Sequence, residues 1–260
     1  MPRRLIGKVR QTQRMDAPLD PTQLYADVAA YGSLGAALQA VASAAGISLD
    51  VVASERQPLH SATVPSATPL RKGLGITAGA VERVWIISGW SQGISSISGS
   101  TTDLAEVVKA AQAWSGGAPL RDIQLAAPFV EVTRRGEAAE LGPEYIVTGE
   151  WDRLLREADE ANWPEYRALI MAAYAEPRLR QLYPYTSHWM LRFSTTTGYP
   201  FSPDIVCLTA SEDSTFTVRE NWMGPTIGTA ATAEEAVLIA ADLPPPGLGA
   251  AIAGPYLYED

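Results

Sequence analysis

The chain has 260 residues, of which 47% are hydrophobic and 19% are charged, and these proportions exclude wholesale disorder. The net charge is −9, and a single cysteine, Cys207, excludes an internal disulfide. Because an acidic body repels a phosphate backbone, and because no run approaches the ~18 apolar residues of a membrane span, we expect neither a nucleic-acid nor a membrane partner.

Residues 1–20 differ in charge from the rest of the chain. They hold five basic and two acidic side chains, a net charge of +3, so residues 21–260 carry −12. We interpret 1–20 as a basic, flexible arm. Arg3 and Arg4 are not followed by an apolar stretch, which is unlike a secretory signal, so we expect a cytoplasmic location.

The first third of the body reads as helix followed by sheet. Apolar residues at helical spacing predict helix from residue 21 to Gly46, and alternation over 47–51 predicts a strand. Residues 60–99, punctuated by glycine and proline, predict a meander of antiparallel strands. Thr102 is the expected cap of the next helix, which ends at Gly116 and Gly117.

The rest of the chain reads as a helical segment followed by a second sheet. Amphipathic spacing predicts two helices, the second starting at Pro164. Trp189, Leu191 and Phe193 alternate in a predicted strand and are expected to face the core. Further strands follow, and Thr232 with Glu235 forms a capping-box pattern before the last helix.

These elements predict an α+β fold, with two related antiparallel-sheet-plus-helix halves joined by a helical insert. The N-terminal half spans 21–148, the insert 149–186 and the C-terminal half 187–260. In both halves a tryptophan turn precedes a threonine-capped, alanine-rich helix. An internal repeat and a coincidence of common strand–helix order both explain this likeness.

Few residues are suited to metal or nucleotide chemistry. The chain has two histidines and one cysteine, far apart in sequence, whereas a structural zinc site needs about four nitrogen or sulfur ligands. The glycines of 73–79 have the wrong spacing for a dinucleotide loop. We therefore expect no metal site and no cofactor. Cys207 lies in an apolar strand, where a buried cysteine acts as a small hydrophobe.

Three polar residues are the candidates for catalysis. His188 and Arg192 share one face of the predicted strand, about 13 Å apart at ~3.3 Å per residue, and can reach into one cleft. His188 is the candidate acid–base, and Arg192 or Asp204 the group that stabilises charge. The alternative is that His188 satisfies a local loop carbonyl.

Aromatic residues gather around the proline-stiffened loop 198–204 and predict a binding pocket. Such residues offer a large contact area at low entropic cost. The alternative is a satellite hydrophobic cluster that pins the loop to the insert. The candidate ligand-binding residues are Tyr183, Tyr185, Trp189, Tyr199 and Phe201.

Several long runs resemble a known family. They are WPEYRALI at 163–170, AEPRLRQLYPYTSHW at 175–189, TTGYPFSP at 196–203, and the shorter SGW at 88–90 and ISGST at 97–101. Together they resemble an uncharacterised actinobacterial family labelled "natural product biosynthesis protein", over nearly the whole chain after the arm. The resemblance implies a bacterial cytoplasmic protein encoded near secondary-metabolite genes, and it implies no reaction.

Three hypotheses for function follow. The first is an accessory or binding protein of natural product biosynthesis, which holds a small molecule, a peptide or a partner enzyme in the aromatic pocket. The second is a cofactor-free cyclase, isomerase or hydrolase that uses His188. The third is an immunity-type interaction module. The oligomeric state is left open.

Overall fold

The computed structural model describes residues 20–258 and shows an α+β protein, which confirms the predicted fold class. Two antiparallel sheets, of six and five strands, each pack against helices, and a two-stranded parallel pair lies beside the second sheet. The predicted basic arm falls outside the described residues except for Asp20.

The first sheet is a meander whose strands pair in chain order. Every neighbouring pair is antiparallel, as predicted for residues 60–99. Its strands are β1 (Val52–Ala53), β2 (Ser61–Val64), β3 (Leu74–Ala78), β4 (Trp85–Ser91), β5 (Ile94–Thr101) and β6 (Val130–Val132).

Five helices accompany the first sheet and share its core. Trp85 and Trp114, both fully buried, are the largest side chains in this core. The helices are α1 (Pro21–Leu24), α2 (Ala26–Ala30), α3 (Leu34–Ala44), α4 (Leu104–Ser115) and α5 (Leu120–Ala126).

The prediction of a strand over 47–51 is wrong, because Ile47 forms part of the C-terminal cap of α3. Gly46, at φ +71°, and Ile47 donate their backbone N–H groups back to Ser43 and Ala42, which forms a Schellman cap. Sheet pairing starts only at Val52, opposite Thr63. Alternating apolar residues therefore did not suffice to make a strand here.

The cap of α4 also differs from the prediction by one residue. The Asp103 side chain, rather than that of Thr102, accepts the hydrogen bond from the Ala105 N–H. A carboxylate at this position also interacts favourably with the helix dipole. Gly116 ends the helix as expected.

The second sheet has the strand order β12-β11-β10-β8-β7, and its hydrogen-bonded neighbours are antiparallel. These strands are β7 (Tyr183–Ser187), β8 (Met190–Ser194), β10 (Cys207–Ala210), β11 (Phe216–Arg219) and β12 (Thr226–Ala230). The parallel pair consists of β9 (Thr196–Gly198) and β13 (Ile252–Pro255).

Helices from the middle and the end of the chain pack around the second sheet, and the first of them (Arg134–Leu141) also lies against β5 of the first sheet. Thr232 caps the last of them, as its sequence pattern predicts, by accepting from the Glu235 N–H. The helices are α6 (Arg134–Leu141), α7 (Pro143–Glu160), α8 (Pro164–Ala175), α9 (Pro177–Arg180) and α10 (Ala233–Ala241). The predicted domain boundaries and the internal repeat stay predictions.

The two sheets have separate hydrophobic cores, and the segments that bear them meet at a joint. Ile94 of β5 packs into the core of the second sheet. The turn between β4 and β5 lies against β9, where the Tyr199 N–H donates to the Gly93 carbonyl at 3.0 Å. This joint positions the loop that follows β9, which carries Tyr199, Phe201 and Asp204 of the candidate site.

Candidate functional site

The β7–β8 hairpin decides where two of the predicted site residues lie. Ser187 pairs with Met190, so His188 and Trp189 form a two-residue turn, and both have positive φ (53° and 63°). These values are those of a type I′ turn, which matches the twist of the flanking strands. The hairpin is therefore tight and places both side chains at its tip.

The prediction that Trp189 faces the core is wrong. Trp189 is 48% exposed, whereas Leu191 and Phe193 are fully buried as expected. The reason is the register: Trp189 belongs to the turn rather than to the strand. Its ring meets those of Tyr166 and Trp163 edge-on, with centroids 5.2 and 6.0 Å apart, away from the other predicted aromatics.

His188 is exposed and has a polar neighbour but no acidic one within residues 20–258. Its Nδ1 lies 3.1 Å from the Ser187 hydroxyl. The side chain lines a small hollow of about 240 Å³ together with Met190, Arg192 and Trp222. His188 and Arg192 thus do border one space, but no carboxylate in the described part of the chain orients the imidazole.

Arg192 and Asp204 form a two-pronged ion pair. Arg192 Nε donates to Asp204 Oδ1 at 2.9 Å, and Nη2 donates to Oδ2 at 2.8 Å. The Tyr185 hydroxyl also donates to Oδ1 at 2.8 Å, and the Trp222 backbone N–H donates to Oδ2 at 3.0 Å. The Asp204 side chain is only 2% exposed and accepts four hydrogen bonds. Its carboxylate is therefore held in place and has no free hydrogen-bonding capacity.

The surroundings of Asp204 keep it ionised. Burial alone raises the pKa of its carboxyl, but the hydrogen bonds from Arg192, Tyr185 and the Trp222 backbone outweigh burial and hold that pKa below its usual range. Burial, followed by the hydrogen bond to Asp204, raises the pKa of the Tyr185 phenol, so Tyr185 stays protonated as a donor.

Two aromatic rings flank the guanidinium of Arg192. Its Cζ lies 4.9 Å from the centroid of Tyr185 and 6.0 Å from that of Trp222. Cation–π contacts of this kind suit the planar arginine group. The side chain is 19% exposed, so only part of the guanidinium reaches solvent.

Buried hydroxyl groups pin the loop that carries Asp204. The Ser202 hydroxyl accepts from the Thr195 N–H at 2.9 Å and donates to the Pro203 carbonyl at 3.0 Å. The Ser194 hydroxyl accepts from the Ser202 N–H at 3.1 Å. The loop is thereby fixed to the end of β8, and this fixes the position of Asp204 opposite Arg192.

The predicted aromatic cluster forms around Phe201, without Trp189. The Phe201 ring lies 4.6 Å from Tyr185, 5.2 Å from Tyr183 and 6.0 Å from Tyr199 by centroids. Tyr183 is buried, and its hydroxyl oxygen lies 2.6 Å from Arg135 Nη2. Tyr183 therefore lies on the buried side of the cluster, whereas Tyr199, 66% exposed, lies at its solvent-exposed edge.

An open cavity of about 710 Å³ lies over the ion pair and this cluster. This volume is typical of small-molecule sites. Five of the predicted site residues border it, namely Tyr185, Arg192, Tyr199, Phe201 and Asp204. Glu220, Asn221, Trp222 and Tyr258 also line the cavity, and sequence reasoning did not assign them to the site. Trp222 lies in the turn between β11 and β12, and Tyr258 belongs to no sequence motif.

Cys207 lies on β10 directly opposite Arg192 and is fully buried. Burial, with a contribution from the Asp204 carboxylate, raises the pKa of its thiol to about 12. A thiol held protonated is a poor nucleophile and a poor metal ligand. This agrees with its interpretation as a small hydrophobe. Within residues 20–258, no three or more His, Cys, Asp or Glu side chains cluster as metal ligands.

A protein-family model matches part of the chain. Residues 145–255, which contain α8, the second sheet and the cavity residues up to Trp222, match the model described as a family of unknown function, DUF6193. Searches of curated proteins and of solved structures found no match. None of the helices described between residues 20 and 258 is long and apolar enough to cross a membrane.

Proposed function

We propose that the protein is a binding protein that holds a small molecule or a short peptide in the cavity above Arg192 and Asp204. The observation that carries the proposal is the saturated ion pair. All four hydrogen bonds to Asp204 come from the protein itself, so the carboxylate orients Arg192 and the Tyr185 ring rather than exchanging protons. A rigid, aromatic-lined cavity of this size favours binding.

The charge of the cavity indicates the class of ligand. Asp204 neutralises Arg192, and Glu220 at the rim adds a negative charge, so the lining as a whole does not attract anions. Arg192 Nη1 donates none of the side-chain hydrogen bonds found among the described residues, and it is free to donate to a ligand. The ligand that fits is neutral, with a carbonyl-type acceptor beside a flat apolar group that contacts Tyr199 and Trp222.

The cellular role extends this proposal. The sequence resemblance described above supports a cytoplasmic protein of bacterial natural product biosynthesis, whose ligand or partner is an intermediate or an enzyme of such a route. The neutral, ring-containing ligand class proposed for the cavity is compatible with that role.

Catalysis by the predicted trio receives less support from the geometry. Asp204 has no free hydrogen-bonding capacity, and His188, at the tip of the hairpin, has no carboxylate partner in the described residues to tune it. Two of the three guanidinium nitrogens of Arg192 already donate to Asp204. The arrangement therefore offers a binding surface and no acid–base pair.

A thermal-shift screen tests the proposal. Wild-type protein is screened against neutral aromatic amides, small peptides and their carboxylate analogues, and hits are confirmed by calorimetry. A ligand at about a hundred times its Kd stabilises the native state by roughly 2.7 kcal/mol. We expect neutral amides to bind more tightly than their carboxylate analogues.

Variants locate the binding site. Tyr199→Ala removes an exposed ring at the cavity rim and should weaken binding at least tenfold, whereas Tyr145→Ala, an exposed ring on α7 (51% exposed), should not change it. Equal loss with both variants, or no loss with Tyr199→Ala, would place the ligand elsewhere. An absence of any hit across the screen would refute the small-molecule proposal.

A further inference from the structure

A second concave surface lies between helices for which the sequence predicts no site. It is a groove of about 840 Å³ between the end of α7, the length of α8 and the face of α10. It shares no lining residue with the cavity over Asp204. Any role of this groove is therefore independent of the proposed function.

Helix α8 is apolar on two opposite faces. One face, with Tyr166, Leu169, Ile170 and Ala173, is buried in the core. The other repeats the same spacing two residues later, which is about 200° around the helix. This second stripe lines the groove, and it consists of Ala168, Met171, Ala172 and Ala175. Ala168 and Ala172 already pack against the core beside α10, whereas Met171 and Ala175 are exposed. The exposed part of this second apolar face is therefore open to a partner.

Exposed apolar side chains stand on both walls of the groove. Met171 on α8 is 47% exposed, and Leu238 on α10 is 57% exposed. Three alanines of α8, with small side chains, also line the groove. Small residues along one helix with larger apolar residues at the sides allow another helix to approach closely.

The polar rim of the groove is acidic. Asp159, Glu176 and Glu234 line it, and Arg167 is the one basic lining residue. Arg167 is already paired with Asp159 at 2.5 Å, and Glu176 is paired with Arg178 at 3.0 Å, so Glu234 is the lining carboxylate without an ion pair among residues 20–258. The lining therefore has a net charge of −2, and the whole chain is acidic as well. A partner with basic flanks complements this charge, and an acidic partner is repelled.

We propose that this groove binds an amphipathic helix of a partner protein, with apolar residues at i, i+3, i+4 and i+7 and lysine or arginine on its flanks. The twelve residues of α8 provide a groove about 18 Å long at ~1.5 Å per residue, which accommodates a helix of about three turns. This is helix-in-groove recognition, in which the partner's apolar stripe meets Met171 and Leu238 and its cations meet the acidic rim.

Two synthetic 18-residue peptides provide the probes. Both have leucine at the four apolar positions of the repeat, and they differ only in carrying lysine or glutamate on the flanks. Binding to the full chain is followed by fluorescence anisotropy at low and moderate salt. The lysine peptide is expected to bind at least tenfold more tightly than the glutamate peptide, and to weaken as salt rises.

Matched variants assign the binding to the groove. Leu238→Glu should weaken binding of the lysine peptide at least tenfold, whereas Leu125→Glu, at an apolar residue 80% exposed on α5, should not. Glu234→Gln should weaken binding severalfold at low salt, whereas Glu235→Gln, at the next residue of α10 and outside the groove, should have little effect. Thermal unfolding shows that each variant is folded.

Three results would overturn the proposal. The first is that neither peptide binds. The second is that both bind equally, which would mean that the acidic rim plays no part. The third is that Leu238→Glu and Leu125→Glu have the same effect, which would mean that the peptide binds non-specifically to exposed apolar residues.

Discussion

Arg192 and Asp204 are twelve residues apart in sequence, yet the guanidinium and the carboxylate meet edge to edge through two hydrogen bonds of 2.9 and 2.8 Å. The pair joins β8 to the loop that precedes β10, and the Tyr185 hydroxyl and the Trp222 N–H complete the coordination of the carboxylate. This makes Asp204 the organising residue of the cavity, and its removal is the most direct test of the site's construction.

Asp204→Asn should destabilise the protein. It leaves the partly buried Arg192 without its counter-ion and turns one of the acceptor oxygens into a donor. Loss of one partner from a pair of this kind costs roughly 2–4 kcal/mol, somewhat below the value for a fully buried pair because Arg192 is 19% exposed. Urea denaturation measures the change. Asp152→Asn, at an exposed residue of α7, serves as the control and should stay within about 0.5 kcal/mol of wild type.

The contribution of Asp204 should depend on pH in a defined direction. Its pKa is lower in the folded protein than in the unfolded chain, where an aspartate has a pKa of about 3.9. The stabilisation is therefore complete above about pH 5 and is lost as the pH falls through the folded-state pKa. The difference in unfolding free energy between wild type and Asp204→Asn should shrink between pH 5 and pH 3. A difference that stays constant over this range would contradict the assignment.

Cys207 should be inert in the native protein. It is fully buried, and its thiol has a pKa of about 12, so almost no thiolate is present at pH 8. A disulfide reagent such as Ellman's reagent should label less than a tenth of the native protein in the time that it fully labels the guanidinium-unfolded chain. Rapid labelling of the native state by one equivalent would show that β10 opens or that the thiol is activated.

Gly198→Ala should destabilise the joint between the two sheets. A Cβ on Gly198 would lie 2.8 Å from the carbonyl carbon of Gly254 and 2.9 Å from that of Gln92, and backbone cannot give way as a flexible side chain can. We expect a loss of about 1–3 kcal/mol in unfolding free energy. Cavity binding should weaken as well, because Tyr199 is the next residue.

The matched control for this glycine lies on α7. A Cβ on Gly149 meets no atom within 4 Å, so Gly149→Ala should instead stabilise the protein, by up to about 1 kcal/mol, through helix propensity alone. Opposite signs for the two substitutions are the expected result. An increase in the unfolding free energy of Gly198→Ala would show that the joint is less tightly packed than its distances indicate.

Local chemistry made much of the fold predictable. The Thr232 cap and the glycine at the end of α3 are set by a few neighbouring residues, and the structure confirms both. It also confirms the antiparallel meander of 60–99. Errors arose where two local signals competed. The Ile47 N–H donates to the cap of α3 and is not available for strand pairing. Trp189 belongs to the β7–β8 turn, although the alternating pattern assigns it to a strand.

The candidate site shows the same division. The sequence by itself determined which residue types are present: one cysteine, two histidines, and aromatics and a charged pair around the loop 198–204. The tertiary structure alone decided that Arg192 faces Asp204, that Trp222 and Tyr258 line the same cavity, and that Trp189 does not. The physical reason is distance along the chain. Caps and turns depend on residues within about one turn of each other, whereas strand register and loop packing bring together side chains tens of residues apart, and no local pattern encodes which of them will meet.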